Sequence, residues 1–221
     1  MGRRALRKID PSLDLSGHLV TFDHLPRPWD PVALFGRRAP LEVEVGSGKG
    51  LFLRAAAAAR PEVDFLGTEI AAKYARFAAA GLLKRGLPNA RVMLGDALRL
   101  FAELLPDASL AAVHVYFPDP WWKKRHKKRR VMRESFVRDV ERTLAPGGRL
   151  HFWTDVDEYF HTGLELLAAE TGLEGPLEVP EVPAEHDLDY RTHFERRTRQ
   201  HGERVYRAEF VKKRERPWLP Q

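Results

Sequence analysis

Three features of the 221-residue sequence predict a doubly wound α/β domain with a mainly parallel sheet. Short apolar runs alternate five times with longer amphipathic or Ala-rich runs, which is the order of strand–helix–strand units. Gly or Pro stands at most of the junctions. Four predicted strand ends carry an acid, at Glu44, Glu69, Asp96 and Asp119. In open α/β sheets, ligands bind outside the carboxyl ends of the strands, so these four acids should converge on one rim.

The elements follow in order. Residues 1–40 are basic and punctuated by Pro26, Pro28, Pro31 and Pro40, which discourages long helices and suggests an arm or an irregular cover. Residues 41–45 (LEVEV) form a first strand, broken by Gly46, Gly48 and Gly50. Residues 51–60 are an Ala-rich helix that Pro61 ends. A second strand over 63–70 precedes a helix over 71–85, which places Tyr74, Phe77, Ala78 and Leu82 toward the core and stops at Gly86. Residues 90–94 make a third strand that runs into Gly95-Asp96, followed by a helix over 98–105. The fourth strand is 110–117 (LAAVHVYF). Met132, Phe136, Val140 and Leu144 recur every four residues and predict a helix over 131–144, closed by Pro146-Gly147-Gly148. A fifth strand over 149–154 and a helix over 157–170 complete the alternation. Residues 176–189 are Pro-rich and acidic, a connector. Residues 192–197 and 203–212 flank Gly202 and read as an antiparallel hairpin at the sheet edge. The expected sheet is therefore seven-stranded, in a single domain over 41–221 behind the 1–40 arm.

Composition narrows the chemistry. No Cys is present, which excludes disulfides, thiolate nucleophiles and Cys-ligated zinc. No apolar run reaches the length of a membrane span, and no apolar segment follows the basic N-terminus, so a cytoplasmic location is expected. The histidines show no metal-type pair and no nucleophile elbow occurs, so no metal is expected. Net charge is only +6, but the positive charge is clustered. Within 123–130 every residue except His126 is Lys or Arg: Lys123, Lys124, Arg125, Lys127, Lys128, Arg129 and Arg130. Like charges this close repel unless a polyanion neutralises them, which points to nucleic acid, with a localisation tract as the competing reading.

Each motif has a functional and a bland reading. Glycines at 46, 48 and 50 between a strand and a helix let the backbone approach a ligand; a tight turn would use them equally well. The spacing is not the G-x-G-x-x-G of dinucleotide sites. Glu69 can accept from two ribose hydroxyls, and Asp96 from an adenine amino group; helix capping competes, most strongly for Asp96. Asp119 stands between Pro118 and Pro120 in a stiff loop suited to positioning or charge stabilisation, or to a simple turn. Trp121 and Trp122 can stack on bases or fill the core. Thr154-Asp155 lies on the same rim, and Thr192-His193-Phe194-Glu195 opens the terminal segment; capping and edge solubility are their alternatives.

Together these residues resemble the bacterial tRNA (guanine-N7-)-methyltransferases, class I Rossmann-like enzymes that use S-adenosylmethionine. The resemblance rests on E-V-G-S-G-K-G at 44–50, Glu69, G-D at 95–96, F-P-D-P-W-x-K at 117–123 with its basic tail, T-D at 154–155 and T-x-F-E at 192–195. It implies transfer of a methyl group to N7 of a guanine in the tRNA variable loop. Glu44, Gly46, Gly48, Glu69, Asp96 and Asp119 would line the cofactor pocket, with Asp119 catalytic or guanine-positioning. Lys123, Asp155, Thr192, His193, Phe194 and Glu195 would contact the target nucleoside. Arg125, His126, Lys127, Lys128, Arg129 and Arg130 would contact the tRNA. Trp122 stands where the family frequently has His. A non-enzymatic RNA-binding protein, or a methyltransferase for another RNA, is the alternative, and monomer and homodimer are equally compatible with the sequence.

Overall fold

A computed structural model describes residues 6, 8–121, 130–181, 183 and 190–214. Among them, eight strands form one sheet in the order β1-β4-β3-β2-β5-β6-β8-β7. The strands are β1 (Leu19–Thr21), β2 (Leu41–Val45), β3 (Asp64–Glu69), β4 (Ala90–Leu94), β5 (Leu110–Tyr116), β6 (Leu144–Thr154), β7 (Glu174–Glu178) and β8 (Tyr206–Val211). The first six pair in parallel, and β8 runs antiparallel to both β6 and β7. Helices α1 (Pro31–Phe35), α2 (Leu51–Ala59), α3 (Ala72–Leu83), α4 (Ala97–Glu103), α5 (Glu134–Thr143), α6 (Asp157–Glu170) and α7 (His193–Gln200) alternate with them.

The predicted alternation is present, and the sheet has one strand more than expected. The extra strand, β1, comes from the basic N-terminal segment. It is only three residues long, too short to give a period, and pairs with β4 at the sheet edge while Phe22 and Leu25 plug into the core beside it.

The terminal hairpin is a correction. Residues 193–200 are a helix, because Thr192 and Glu195 form a helix-starting pair. The Thr192 hydroxyl accepts from the Glu195 backbone N–H (3.0 Å), and the Glu195 carboxylate accepts from the Arg191 N–H (2.6 Å). The T-x-x-E spacing is the sequence mark of that start. β8 instead pairs with β6 and with β7, which lies partly inside the predicted connector. β7 (EGPLE) is exposed along its whole length, so it carries no alternating pattern to read.

Two cores cover the two sheet faces. Val43, Val113, Val115 and Phe152 meet Phe101, Phe136 and Val140 of α4 and α5 on one face. On the other, Phe65 and Val92 meet Phe52 and Leu53 of α2 and the small face of α3, Ala75, Ala78 and Ala79. Small residues bring α2 and α3 close: a Cβ on Gly50 would lie 2.7 Å from Ala78 Cβ, and Gly50 has φ +68°. Gly50→Ala is expected to cost about 1–3 kcal/mol from overlap, with left-handed strain in addition. Chemical denaturation checks this; an unchanged midpoint would mean that the α2–α3 contact yields freely.

The second face also carries charge. In register across the sheet, Glu44, His114, His151 and Glu209 form one row. Two residues back on β2, Glu42 takes two hydrogen bonds from Arg60 (2.6 and 2.8 Å) and one from His114 Nε2 (2.8 Å). A carboxylate only accepts, so His114 Nε2 carries the proton and Nδ1 accepts from the Tyr116 hydroxyl at 2.9 Å. Burial pulls the His114 pKa down to about 3 against the opposing bond to Glu42, so the ring is neutral at pH 7. Burial pushes the Glu42 carboxyl up, but the hydrogen bonds and charges of its partners outweigh it and hold it well below the usual range. Because His114 is neutral, Arg60 is the cation that balances Glu42.

The pH consequence has a definite sign. Between about pH 6.5 and 3, the unfolded His114 binds a proton that the folded one refuses, so stability rises with pH there and falls on acidification. His114→Asn should flatten the stability–pH curve over pH 4–6.5 by up to about 1.4 kcal/mol per pH unit. Thermal unfolding across that range checks it, and parallel curves for the two proteins would refute it.

Candidate active site

The carboxyl ends of β2, β3, β4, β5 and β6 form the predicted rim. β2 ends at Val45 and the chain turns through Gly46 (φ +80°), Ser47, Gly48 (φ +52°) and Gly50 into α2. Amides of Gly46 and Ser47 donate to the Thr68 carbonyl (3.0 and 2.8 Å), which fastens the loop to β3. A Cβ on Gly46 or Gly48 would meet nothing within 4 Å, so these glycines face open space while holding a backbone that L side chains rarely adopt.

Under this loop lie two buried polar side chains, Glu44 and Ser47, near enough for the Ser47 hydroxyl to steady the Glu44 carboxylate but without good hydrogen-bond geometry. Glu44 is 3 % exposed, and its Oε2 has no hydrogen-bond partner; the same is true of Ser47 Oγ. Gly67, opposite Glu44 on β3, makes the room: a Cβ there would lie 2.3 Å from Ser47 Oγ. Burial pushes the Glu44 carboxyl up to about 7, opposed by the nearby Ser47 hydroxyl, helped by the Glu69 charge and opposed again by Arg54. Orphaned buried acceptors cost about 1–3 kcal/mol each and call for an explanation. A ligand bearing donors, held against the glycine loop, is one that satisfies both.

Glu69 ends β3 and is half-buried. Its two oxygens accept from the Gly48 N–H and the Ala71 N–H, both at 2.8 Å. It therefore clamps the glycine loop to the start of α3 while its remaining lone pairs stay available to ribose-type hydroxyls. Asp96 follows β4 and caps α4, with Oδ1 accepting from Leu98 N–H at 2.9 Å. The capping role is thus real for Asp96, and it also fixes the carboxylate on the rim.

Asp119 is exposed at the end of β5, in a loop bracketed by two non-glycine residues in the left-handed region, Phe117 (φ +50°) and Trp121 (φ +41°). Such conformations cost of order 1–3 kcal/mol each and persist only when the surroundings enforce them. The surroundings here are visible. Phe117 N–H donates to the Trp153 carbonyl (2.8 Å), and Arg130 Nε donates to the Pro120 carbonyl (2.7 Å). The Arg130 guanidinium lies 5.1 Å from the centroid of Tyr159. Tyr159 is itself buried, and its hydroxyl accepts from Met132 N–H at 3.3 Å. Arg130, predicted to contact RNA, is thus tied into the Asp119 loop.

The T-x-F-E segment reaches the same rim through α7. Phe194 stacks on Phe117 with centroids 6.2 Å apart and is 49 % exposed. Thr192 is occupied as the cap of α7, and His193 is half-buried at its first turn. Glu195 points inward. It is 2 % exposed, and its Oε1 lies within 3.4 Å of Arg199 and 3.3 Å of Arg207, both of which also bind Glu181. Of this motif, Phe194 is the residue presented to solvent, against Phe117 at the start of the Asp119 loop, while Thr192 and Glu195 hold the helix that presents it. Asp155 follows β6 on the rim and is half-buried, behind Thr154, whose hydroxyl accepts from Val156 N–H at 3.2 Å. Lys123, Arg125, His126, Lys127, Lys128 and Arg129 lie outside the described residues, as does Trp122.

Sequence reasoning missed Ser47, Tyr159 and the paired left-handed residues. Gly67 mid-strand was the one signal for Ser47, since a glycine inside a strand marks close approach. Among the described residues no group of three or more His, Asp or Glu is placed to hold a metal, and no helix is long and apolar enough to cross a membrane.

A family profile described as "Putative methyltransferase" matches residues 38–208. The chain is 51 % identical over 220 residues to a tRNA (guanine-N(7)-)-methyltransferase of Rhodopirellula baltica, covering 96 % of this chain and 81 % of that protein. It is 41 % identical over 191 residues to the protein of that name from Alkalilimnicola ehrlichii, covering 86 % and 80 %. Among solved structures, the 16S rRNA methyltransferase KamB superposes with a TM-score of 0.60 at 19 % identity over 82 % of this chain and 91 % of its own. The aminoglycoside resistance methyltransferase NpmB1 superposes with 0.53, also at 19 %, over 80 % and 89 %. At those identities the two structures establish the shared fold alone.

Proposed function

The chain belongs to the tRNA (guanine-N(7)-)-methyltransferase family, and from that premise we propose that it methylates N7 of a guanine in the variable loop of tRNA, forming 7-methylguanosine. The observation that carries this reading is the arrangement of acids around one open rim. Glu44 and Ser47 offer buried polar atoms beneath a ligand-facing glycine loop at the end of β2, and Asp119 stands exposed past the end of the adjacent β5 in an enforced loop.

The set of acceptors fits S-adenosylmethionine. Glu44 and Ser47 would hold polar groups of its amino-acid end, Glu69 its ribose hydroxyls and Asp96 its base. Bound there, S-adenosylmethionine supplies an electrophilic methyl on a positively charged sulfur, and that charge ends on the guanine. Guanine N7 carries an in-plane lone pair, so no residue is needed to remove a proton. Catalysis by this chain then comes from holding the base in line, worth about 7–11 kcal/mol at best, and from a negative charge placed where the base becomes cationic. Asp119 is that charge, or it accepts the guanine N1 and amino protons and clamps the base. Phe194 offers an exposed ring against Phe117 for stacking, and Asp155 a further carboxylate on the rim. The 123–130 run, with Arg130 anchoring its end, supplies the countercharge for tRNA phosphates.

The test is a product assay. The protein is incubated with methyl-labelled S-adenosylmethionine and unmodified transcribed tRNA, and the digested RNA is analysed by nucleoside. Labelled 7-methylguanosine, formed only with tRNA that has the variable-loop guanine, is the expected result. A different labelled nucleoside would keep the enzyme class and overturn the target; no label with tRNA bound would favour a binding protein.

A further inference from the structure

On the same rim, beyond β6, the sheet ends in its antiparallel pair. Because β8 runs opposite to β6, its first residues lie at the carboxyl end of β6, and Tyr206 is in register with Thr154. β7 runs opposite to β8, so the end of β7 returns to this rim. Between them and the first turn of α6 is a cleft of about 300 Å³, lined by Phe160, Glu178, Val179, Arg204, Tyr206 and Arg207 among others.

We propose that this cleft binds one nucleobase of the tRNA, belonging to a nucleotide that neighbours the methylated guanine. The inference rests on the tRNA reading above. Chemistry and position both support it. Phe160 and Tyr206 form an aromatic corner with centroids 5.4 Å apart, and the exposed Arg204 lies 4.8 Å from the Tyr206 centroid. Aromatic rings and a guanidinium plane are the surfaces on which splayed RNA bases stack. Two carboxylates, Glu178 and Glu181, line the same cleft. A carboxylate here can accept the amino and imino protons of a base edge. Glu181 is already neutralised by Arg199 and Arg207, whereas Glu178 is exposed. An aromatic corner with an uncommitted carboxylate at its edge thus fits a base. Its place fits too. β8 is two strand spacings from β5, roughly 10 Å, so a strand of RNA whose guanine sits at Asp119 passes it within a nucleotide or two.

The experiment uses the full chain and tRNAs carrying a single abasic nucleotide at each position flanking the target guanine. Wild-type activity on intact tRNA is measured first, which tests the premise separately. For the wild type, one abasic position should raise KM about five- to hundredfold. Tyr206→Ala should raise KM on intact tRNA by a similar factor and show little further loss with that abasic tRNA. Tyr206→Phe, which keeps the ring, should restore wild-type KM. Arg204→Ala, at an exposed position, should raise KM severalfold with no burden on folding. S-adenosylhomocysteine affinity, by calorimetry, should be the same in all variants, which excludes misfolding as the cause. An unchanged KM for Tyr206→Ala and Arg204→Ala, or equal abasic penalties in wild type and Tyr206→Ala, would overturn the proposal. Absence of 7-methylguanosine from the wild type would remove its premise and overturn it with the function.

Discussion

Asp119→Ala is expected to lower turnover about 10²–10³-fold, the usual cost of removing one preorganised electrostatic contact, while cofactor and tRNA still bind. The expectation rests on how the loop is built. Phe117 and Trp121 hold left-handed backbone on either side of Pro118-Asp119-Pro120. Arg130 pins the Pro120 carbonyl, and Tyr159 lies under the Arg130 guanidinium. A carboxylate that served only as a turn residue would not require this enforcement. Its exposure also means that truncation leaves no buried cavity, so the loss should appear in the reaction and not in stability. Single-turnover methylation with calorimetric binding separates the two. A tRNA carrying inosine at the target position then distinguishes the two roles of the carboxylate. Inosine keeps N7 and N1–H and loses the 2-amino donor, so weaker methylation of inosine than of guanosine by the wild type, with little difference between them for Asp119→Ala, marks a base clamp. Equal methylation of both bases by the wild type marks charge stabilisation. Full activity in the Ala variant would exclude either role.

How far the sequence carried the reading depends on what each residue answers to. The five parallel strands and their acids were legible because buried strands are apolar runs and Gly or Pro interrupts them near the rim. Glu44, Glu69, Asp96 and Asp119 do converge there. Pairing at the C-terminus was not legible, because β7 is exposed on every residue and owes its place to the partner β8, a tertiary cause. α7 was legible in principle, since Thr192 and Glu195 sit at helix-starting spacing, but an expected hairpin displaced that local signal. The inward turn of Glu195 was beyond reach for another reason. Its partners Arg199 and Arg207, and the Glu181 that shares them, are spread over 26 residues, and only the fold brings them together.

Glu44→Gln should exchange binding for stability, and the exchange should depend on pH. The Glu44 pKa in the folded chain is raised to about 7 by burial, from 4.5 when free. A raised carboxyl contributes stability that is fully present below about pH 4.5 and lost as pH rises through 7. Above that, the folded protein holds a buried carboxylate with one oxygen unpartnered. Gln fills the same space and does not titrate. The stability of the variant relative to wild type should therefore climb by on the order of 3 kcal/mol between pH 4 and pH 8, read by denaturation at each pH without ligand. Cofactor affinity should move the other way, falling about 10- to 100-fold at pH 8 through loss of a charged acceptor. Cofactor binding by the wild type should in turn expel the Glu44 proton near neutral pH, seen as a buffer-dependent binding heat that the variant lacks. A stability difference constant across pH would show that Glu44 is ionised at no unusual cost. The orphaned oxygen would then carry no stored energy for the ligand to release.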